Sequence, residues 1–175
     1  LTANLWLGAF DDELGTLEVW YDFGGPVTGF QFSLTGLAVT GGSGGAAADA
    51  GFSVSGGNGV IIGFSMTGGT APIPAGTGLL TNVSFNSVTG PTTELWMDVF
   101  DVIAGESNFE YTTSIVDPEQ TSPINHGDPD CSGTYYGDAV EDNCGVCDND
   151  SANDCTQDCA GEWGGTAWNS DCGCV

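Results

Sequence analysis

The sequence predicts an all-β protein: a jelly-roll or Ig-like β-sandwich followed by a small, irregular, disulfide-rich repeat tail. Three observations carry this. Over residues 1–116, short apolar runs alternate with polar residues at strand period and are cut by glycine and proline turn signals. No segment of that stretch repeats its apolar residues at helical period. All seven cysteines lie between Cys131 and Cys174, where apolar content is low, and such a cluster reads as a disulfide framework built in an oxidising compartment.

The elements follow in chain order. Residues 4–10 are a nearly continuous apolar run, and residues 11–15 (DDELG) form a turn. Residues 16–23 alternate, with Leu17, Val19, Tyr21 and Phe23 on one face and Thr16, Glu18, Trp20 and Asp22 on the other. Gly24, Gly25 and Pro26 end that strand; Phe30, Phe32 and Leu34 then alternate with Gln31 and Ser33. Residues 41–51 (GGSGGAAADAG) are too rich in glycine for a strand and read as a loop with one helical turn at 46–48. Further strands are expected at 52–55, 60–66, 79–87, 95–102 and 109–113. The apolar residues of these strands suffice for a core without disulfides.

Residues 117–129, with three prolines and mostly polar side chains, read as an extended linker. The tail, 130–175, contains a repeat. Asp130, Cys131, Gly133, Gly137, Ala139, Cys144 and Gly145 recur 28 residues later as Asp158, Cys159, Gly161, Gly165, Ala167, Cys172 and Gly173, with Tyr135 matched by Trp163. The units are 130–157 and 158–175, the second stopping before a fourth cysteine. Pairing by proximity gives Cys131–Cys144, Cys147–Cys155 and Cys159–Cys172, one of many connectivities, and leaves Cys174 over. Three readings of that leftover stay open: the natural chain continues past Val175, Cys174 bridges to another molecule, or it is a free thiol. Zinc at Cys144 and Cys147 is the weaker reading, because Cys172-Gly-Cys174 has the wrong spacing for a second CxxC pair. Redox catalysis there is weaker still, with no βαβ pattern around it. The chain opens on Leu1 without an initiator methionine or a signal-like segment and reads as a mature or trimmed product.

There is no Lys or Arg against 24 Asp plus Glu, with one histidine, His126. A chain without cations cannot neutralise phosphates, so nucleic acid and anionic membrane surfaces are excluded as partners. No apolar run reaches the length of a membrane span. Uncompensated negative charge destabilises a folded chain, and calcium is the natural offset for hard carboxylates. Asp128, Asp130 and Ser132 sit at alternating positions before Gly133, like the first half of a calcium loop, but the twelfth position is Ala139 rather than a bidentate Glu. Asp138, Glu141 or Asp142 is then needed to close a different loop. Asp148, Asp150, Asn153 and Asp154 form a second set of alternating oxygen donors. The competing explanation is that these are solvated acidic turns.

GTLEVWYDF with VTGFQFSL, followed by GVIIGFSMTGGTAPIPAGTGLLTNVSF, resembles the cohesin-like sandwiches and related carbohydrate-binding-type jelly rolls of bacterial surface proteins, over roughly residues 4–115. The tail is similar to the DC-x-G-x-x-G-G-x-A…CGVC repeats of very large secreted proteins from aquatic bacteria. The resemblance implies a nine-stranded jelly roll with an open face able to take a dockerin. It transfers no binding residue, since no diagnostic contact motif is present.

No catalytic constellation is legible. His126 lies between Asn125 and Gly127 in the linker and reads as a surface residue. Asp11, Asp12 and Glu13 share one turn, and Asp98 and Asp101 read as strand exterior and strand end, so no carboxylate pair faces a cleft. Trp20 and Trp96 fall on the polar parity of their strands, where a ring can stack on sugar or cover a sheet edge. Asn82 and Asn149 head glycosylation sequons. Residues 4–10, apolar on both faces, can pair within their own sandwich or be exchanged into a neighbouring subunit. The expectation is therefore a non-enzymatic extracellular or cell-surface protein, a segment of an appendage, fibre or adhesive scaffold. Its partners would be copies of itself or another extracellular protein. The alternative is a protein- or polysaccharide-binding module.

Overall fold

The first hairpin realises the alternation read from the sequence. In this computed structural model, which describes residues 1–65, 71–98, 101–105, 111–115 and 123–175, β1 (Thr2–Asp11) and β2 (Thr16–Phe23) pair antiparallel. Leu17, Val19, Tyr21 and Phe23 point inward and are buried. On β1 the buried residues are Ala3, Leu5 and Leu7, while Trp6 lies half-buried on the outer face opposite Trp20. The turn between them is fixed by the Leu14 N–H donating to Asp11 Oδ1 at 2.8 Å.

The chain continues through β3 (Val27–Leu34), β4 (Leu37–Ser43), a short helix α1 (Gly45–Asp49), β5 (Ser53–Gly57), β6 (Val60–Phe64) and β7 (Gly76–Val88). Then come β8 (Thr92–Thr93), β9 (Leu95–Trp96), β10 (Val102–Gly105), β11 (Thr112–Ile115) and β12 (Ile124–Asn125). Ten of these strands make one sheet in the order β10-β3-β6-β5-β4-β7-β2-β1-β11, with β9 added beside β3. All its pairs are antiparallel except β1 with β11. The sheet curls, and the Tyr111 N–H donates to Ile103 O (2.9 Å), linking the residue before β11 to β10. Phe30, Phe32 and Ile61 from one half and Leu5, Leu17 and Val83 from the other belong to a single buried cluster. The protein is thus all-β in this unit, Leu1–Gly127.

The structure revises four details of the sequence reading. Residues 41–43 are strand, not loop: a Cβ at Gly41 would sit 3.0 Å from Val54 O, and one at Gly42 would sit 2.7 Å from Thr81 Oγ1. Glycine here marks close approach of β4 to β5 and β7 at the corner where the sheet turns, not absence of order. The single strand expected at 95–102 is two short ones, β9 and β10. The expected linker is partly sandwich, since β12 pairs with β8 through Ile124↔Thr93 and Asn125↔Thr92. Fourth, His126 is not on the surface. It is buried, with Nε2 2.8 Å from Thr93 Oγ1 and its ring centroid 4.8 Å from that of Phe10, which stacks in turn on Phe85. Composition reports the polar character of 123–127 but not that alternation turns Ile124 and His126 toward the sandwich. Met66, Val99, Phe100, Phe109, Glu110 and residues 117–122 of the expected strands and linker lie outside the described residues.

β1 pairs within its own chain on both sides, with β2 and over Thr2–Leu5 with β11. The second unit, Asp128–Val175, carries only two-residue strands: β13 (Val140–Glu141) with β14 (Cys147–Asp148), and β15 (Asn169–Ser170) with β16 (Gly173–Cys174). Among the described residues no helix is long and apolar enough to cross a membrane.

Candidate functional site

The outer face of β10-β3-β6-β5 is the most unusual surface of the sandwich. Strand registers place Ala104, Gly29, Phe64 and Ser53 in one row across it, and Val102, Gln31, Ile62 and Ser55 in the next. Trp96, Ser33, Val60 and Gly57 make the third. Ile62, Phe64 and Trp96 are 38 %, 39 % and 43 % exposed, so an apolar stripe faces solvent beside a run of small residues on β5. The polar residues among them are organised. Asp101 accepts hydrogen bonds from Gln31 Nε2 at 2.9 Å, from Ser33 Oγ at 2.6 Å and from the Asp98 N–H at 2.9 Å. The sequence reading missed this face, although Val60, Ile62 and Phe64 share one parity while the core residue Ile61 has the other. That double parity was the available signal.

The two candidate stacking tryptophans differ: Trp20 is on β2 and Trp96 on β9. Trp20 is half-buried and committed: its Nε1–H donates to Glu18 Oε2 at 2.8 Å, and its indole covers Gly8, where a Cβ would lie 2.5 Å from Nε1. Only Trp96 presents its ring. Asn82 sits half-buried in the central strand β7, between Glu18 of β2 and Ser43 of β4. Asn149 is exposed and donates from Nδ2 to Asp138 Oδ1 at 3.2 Å.

In the tail, one five-residue loop occurs three times, opened by Asp130, Asp142 and Asp158. In each, Oδ1 accepts the backbone N–H groups two and four residues on: Ser132 and Thr134, Cys144 and Val146, Ala160 and Glu162, at 2.8–3.0 Å. The fourth residue is glycine at φ 87°, 81° and 86° (Gly133, Gly145, Gly161), the left-handed conformation the loop requires. Oδ2 then reaches out of the loop to the N–H of Ala139, Cys155 or Ala167, at 3.1, 3.2 and 3.1 Å. A Cβ at Gly137 would fall on Asp130 Oδ2, and one at Gly165 on Asp158 Oδ2. The recurring Asp, Gly, Gly and Ala of the 28-residue repeat are therefore one hydrogen-bonded device. A fourth, reduced copy has Ser170 in the place of Asp142, accepting the Cys172 N–H at 3.3 Å.

These bonds hold the three carboxyls below the ordinary aspartate range. The leading cause is the Ser132 hydroxyl for Asp130, the Val146 N–H for Asp142 and the Glu162 N–H for Asp158. They also decide the disulfides, which differ from the proximity pairing. The bonds are Cys131–Cys147, Cys144–Cys155 and Cys159–Cys174, and the exposed free thiol is Cys172 rather than Cys174. Asp130 draws Ala139, and with it the β13–β14 hairpin, against its own loop, so Cys147 meets Cys131. Asp142 draws Cys155 to the loop that carries Cys144. In the second unit Asp158 and Ala167 do what Asp130 and Ala139 do in the first, and Cys174 takes the place of Cys147. Cys172 is the counterpart of Cys144. Turn hydrogen bonds, not sequence distance, select the partners.

Of the expected calcium ligands, Asp130 and Asp142 are thus engaged with backbone N–H groups, and Ser132 Oγ bonds to Asp130 at 2.6 Å. Asp148 accepts from the Asp150 N–H and from Asn153 Nδ2, and Asp150 from the Ala152 N–H. Asp138, Asp142, Asp148, Asp150 and Asp154 line an open depression of about 580 Å³ together with Trp163, whereas Asp128 and Glu141 are exposed outside it. Among the described residues no three His, Cys, Asp or Glu side chains are grouped to hold a metal ion. Comparison with protein families, curated proteins and solved structures finds no match to this chain.

Proposed function

We propose that this chain is a non-enzymatic extracellular interaction protein, a segment of a cell-surface scaffold. Its sandwich binds another extracellular protein through the β10-β3-β6-β5 face, and its tail is a stapled repeat spacer. The observation that carries the reading is the outward set of Ile62, Phe64 and Trp96 on one face of the sheet. Exposed apolar side chains sharing one sheet face suit an interaction site, and an aromatic beside satisfied polar groups fits the anatomy of one. Three disulfides suit an extracellular compartment. Calcium, the expected counter-ion, would gather at the acidic depression of the tail as screening charge that relieves self-repulsion.

The test is retention of extracellular proteins of the source cells on the immobilised chain. The control is the triple variant Ile62→Ser, Phe64→Ser, Trp96→Ala, checked for unchanged folding. A partner held by the native chain and lost by the variant supports the reading; equal retention by both sinks it. A second reading, polysaccharide binding, is favoured by one observation, the exposed Trp96 ring beside the Gln31–Ser33–Asp101 group. A glycan array with Trp96→Ala as control separates the two.

A further inference from the structure

His126 is the only side chain in this molecule, Lys and Arg being absent, that can acquire a positive charge, and the fold buries it. It stands at the C-terminal end of the first unit, one residue before that unit ends at Gly127. Its backbone N–H donates to Pro91 O at 2.8 Å, its Nε2 meets the buried Thr93 hydroxyl at 2.8 Å, and its ring packs on Phe10. The preceding strand, β12, contributes only two residue pairs to β8. The imidazole and the Ile124 side chain, which packs on the core, are therefore side-chain anchors of residues 123–127.

We propose that His126 is a pH-sensitive latch: neutral, it clips residues 123–127 to the sandwich, and protonated, it lets them go. Released, those five residues become up to about 17 Å of extended chain at the C-terminal end of the first unit.

The physics is a contest at one ring. Burial among Phe10, Thr93 and Pro91 penalises the imidazolium and lowers the affinity of His126 for a proton; Asp12, the charged group that faces it from the β1–β2 turn, opposes this, and burial is the larger effect. Among the described residues, Asp11 and Glu94 directly follow Phe10 and Thr93 in sequence, and Glu94 is exposed. The closed form thus prefers the neutral ring. It has its full advantage above about pH 6.5, the ordinary histidine value, and loses it as pH falls from there toward the depressed value of the closed state.

With a single histidine, the ring signal needs no assignment. The ring is titrated by NMR in the full chain, and amide exchange of residues 124–127 is followed over the same pH range. The expected ring midpoint lies below about pH 6.5, and opening, corrected for intrinsic exchange, grows by up to roughly tenfold per pH unit between about pH 6.5 and that midpoint and levels off below it. In His126→Gln the opening should no longer depend on pH, whether the segment sits open or closed. Asp12→Asn should move the ring midpoint and the opening midpoint down together. A ring midpoint at or above the ordinary value, opening in His126→Gln that tracks pH as in the native chain, or a ring midpoint in Asp12→Asn that moves without the opening would each overturn the latch.

Discussion

The two units solve the same problem by opposite means. The sandwich excludes water: Phe32, Leu5, Leu17, Val19, Ile61 and Val83 are wholly buried, and it contains no cysteine. The tail has no buried residue at all. Its most enclosed side chains include the loop aspartates Asp130, Asp142 and Asp158, the alanines whose N–H groups they accept, and several of the bonded cysteines. In one unit order comes from apolar area removed from water; in the other it comes from carboxylates used as templates for backbone turns, locked by covalent bonds. A segment too small and too polar to form a core can still fold if its turns are satisfied locally and its unfolded state is cross-linked.

The comparison breaks most visibly at Phe32, which packs against Phe30 with ring centroids 5.9 Å apart. Phe32→Ala should cost the sandwich about 3–5 kcal/mol, read as the shift of its urea or thermal transition. Exchange protection of the three tail loops should stay unchanged. Concerted loss of both would mean the tail borrows its stability from the sandwich.

The asymmetry also governs what could be read from the sequence. The alternation of Leu17 to Phe23 and of Phe30 to Leu34 named the core faces correctly, because burial acts on side chains at strand period. The glycines at 41 and 42 misled because composition cannot distinguish flexible glycine from glycine excluded of a Cβ by two neighbouring strands. His126 misled because its burial depends on Phe10 and Thr93, distant in the chain. In the tail the repeat was plain, but its meaning was not. Alternating Asp residues suit both cation ligands and turn acceptors, and the difference lies in where the N–H groups point. The cysteine pairing failed for the same reason.

The next effect in size is covalent. Replacing Cys131 and Cys147 together by Ser should remove roughly 2–4 kcal/mol from the first repeat and leave the sandwich transition in place. Peptide mapping of the unreduced chain should yield Cys131–Cys147 and Cys144–Cys155 as separate bonds. Recovery of Cys131–Cys144 instead would detach the pairing from the aspartate loops and remove the account of why the repeat keeps Ala139 and Gly137.

The smallest effect sharpens the contrast most, because acid attacks the two units at different points. Asp130, Asp142 and Asp158 have folded-state pKa values below the unfolded one, so their contribution is fully present above about pH 4 and is lost as pH falls through the lowered values. The tail should therefore hold its loops through mildly acid conditions and lose protection at Ser132, Thr134, Ala160, Glu162 and Ala167 only in strong acid. Exposure of these carboxyls and screening by salt keep the change below that of a lost disulfide. Asp142→Asn gives the matching control at neutral pH. The amide can serve the Cys144 and Val146 N–H groups through its oxygen, but its NH₂ then confronts the Cys155 N–H, donor against donor. Protection of Cys155 should fall while that of Cys144 and Val146 persists. If all three persist, the second carboxylate oxygen is not what carries the loop to its disulfide partner, and the tail is held by its cysteines alone.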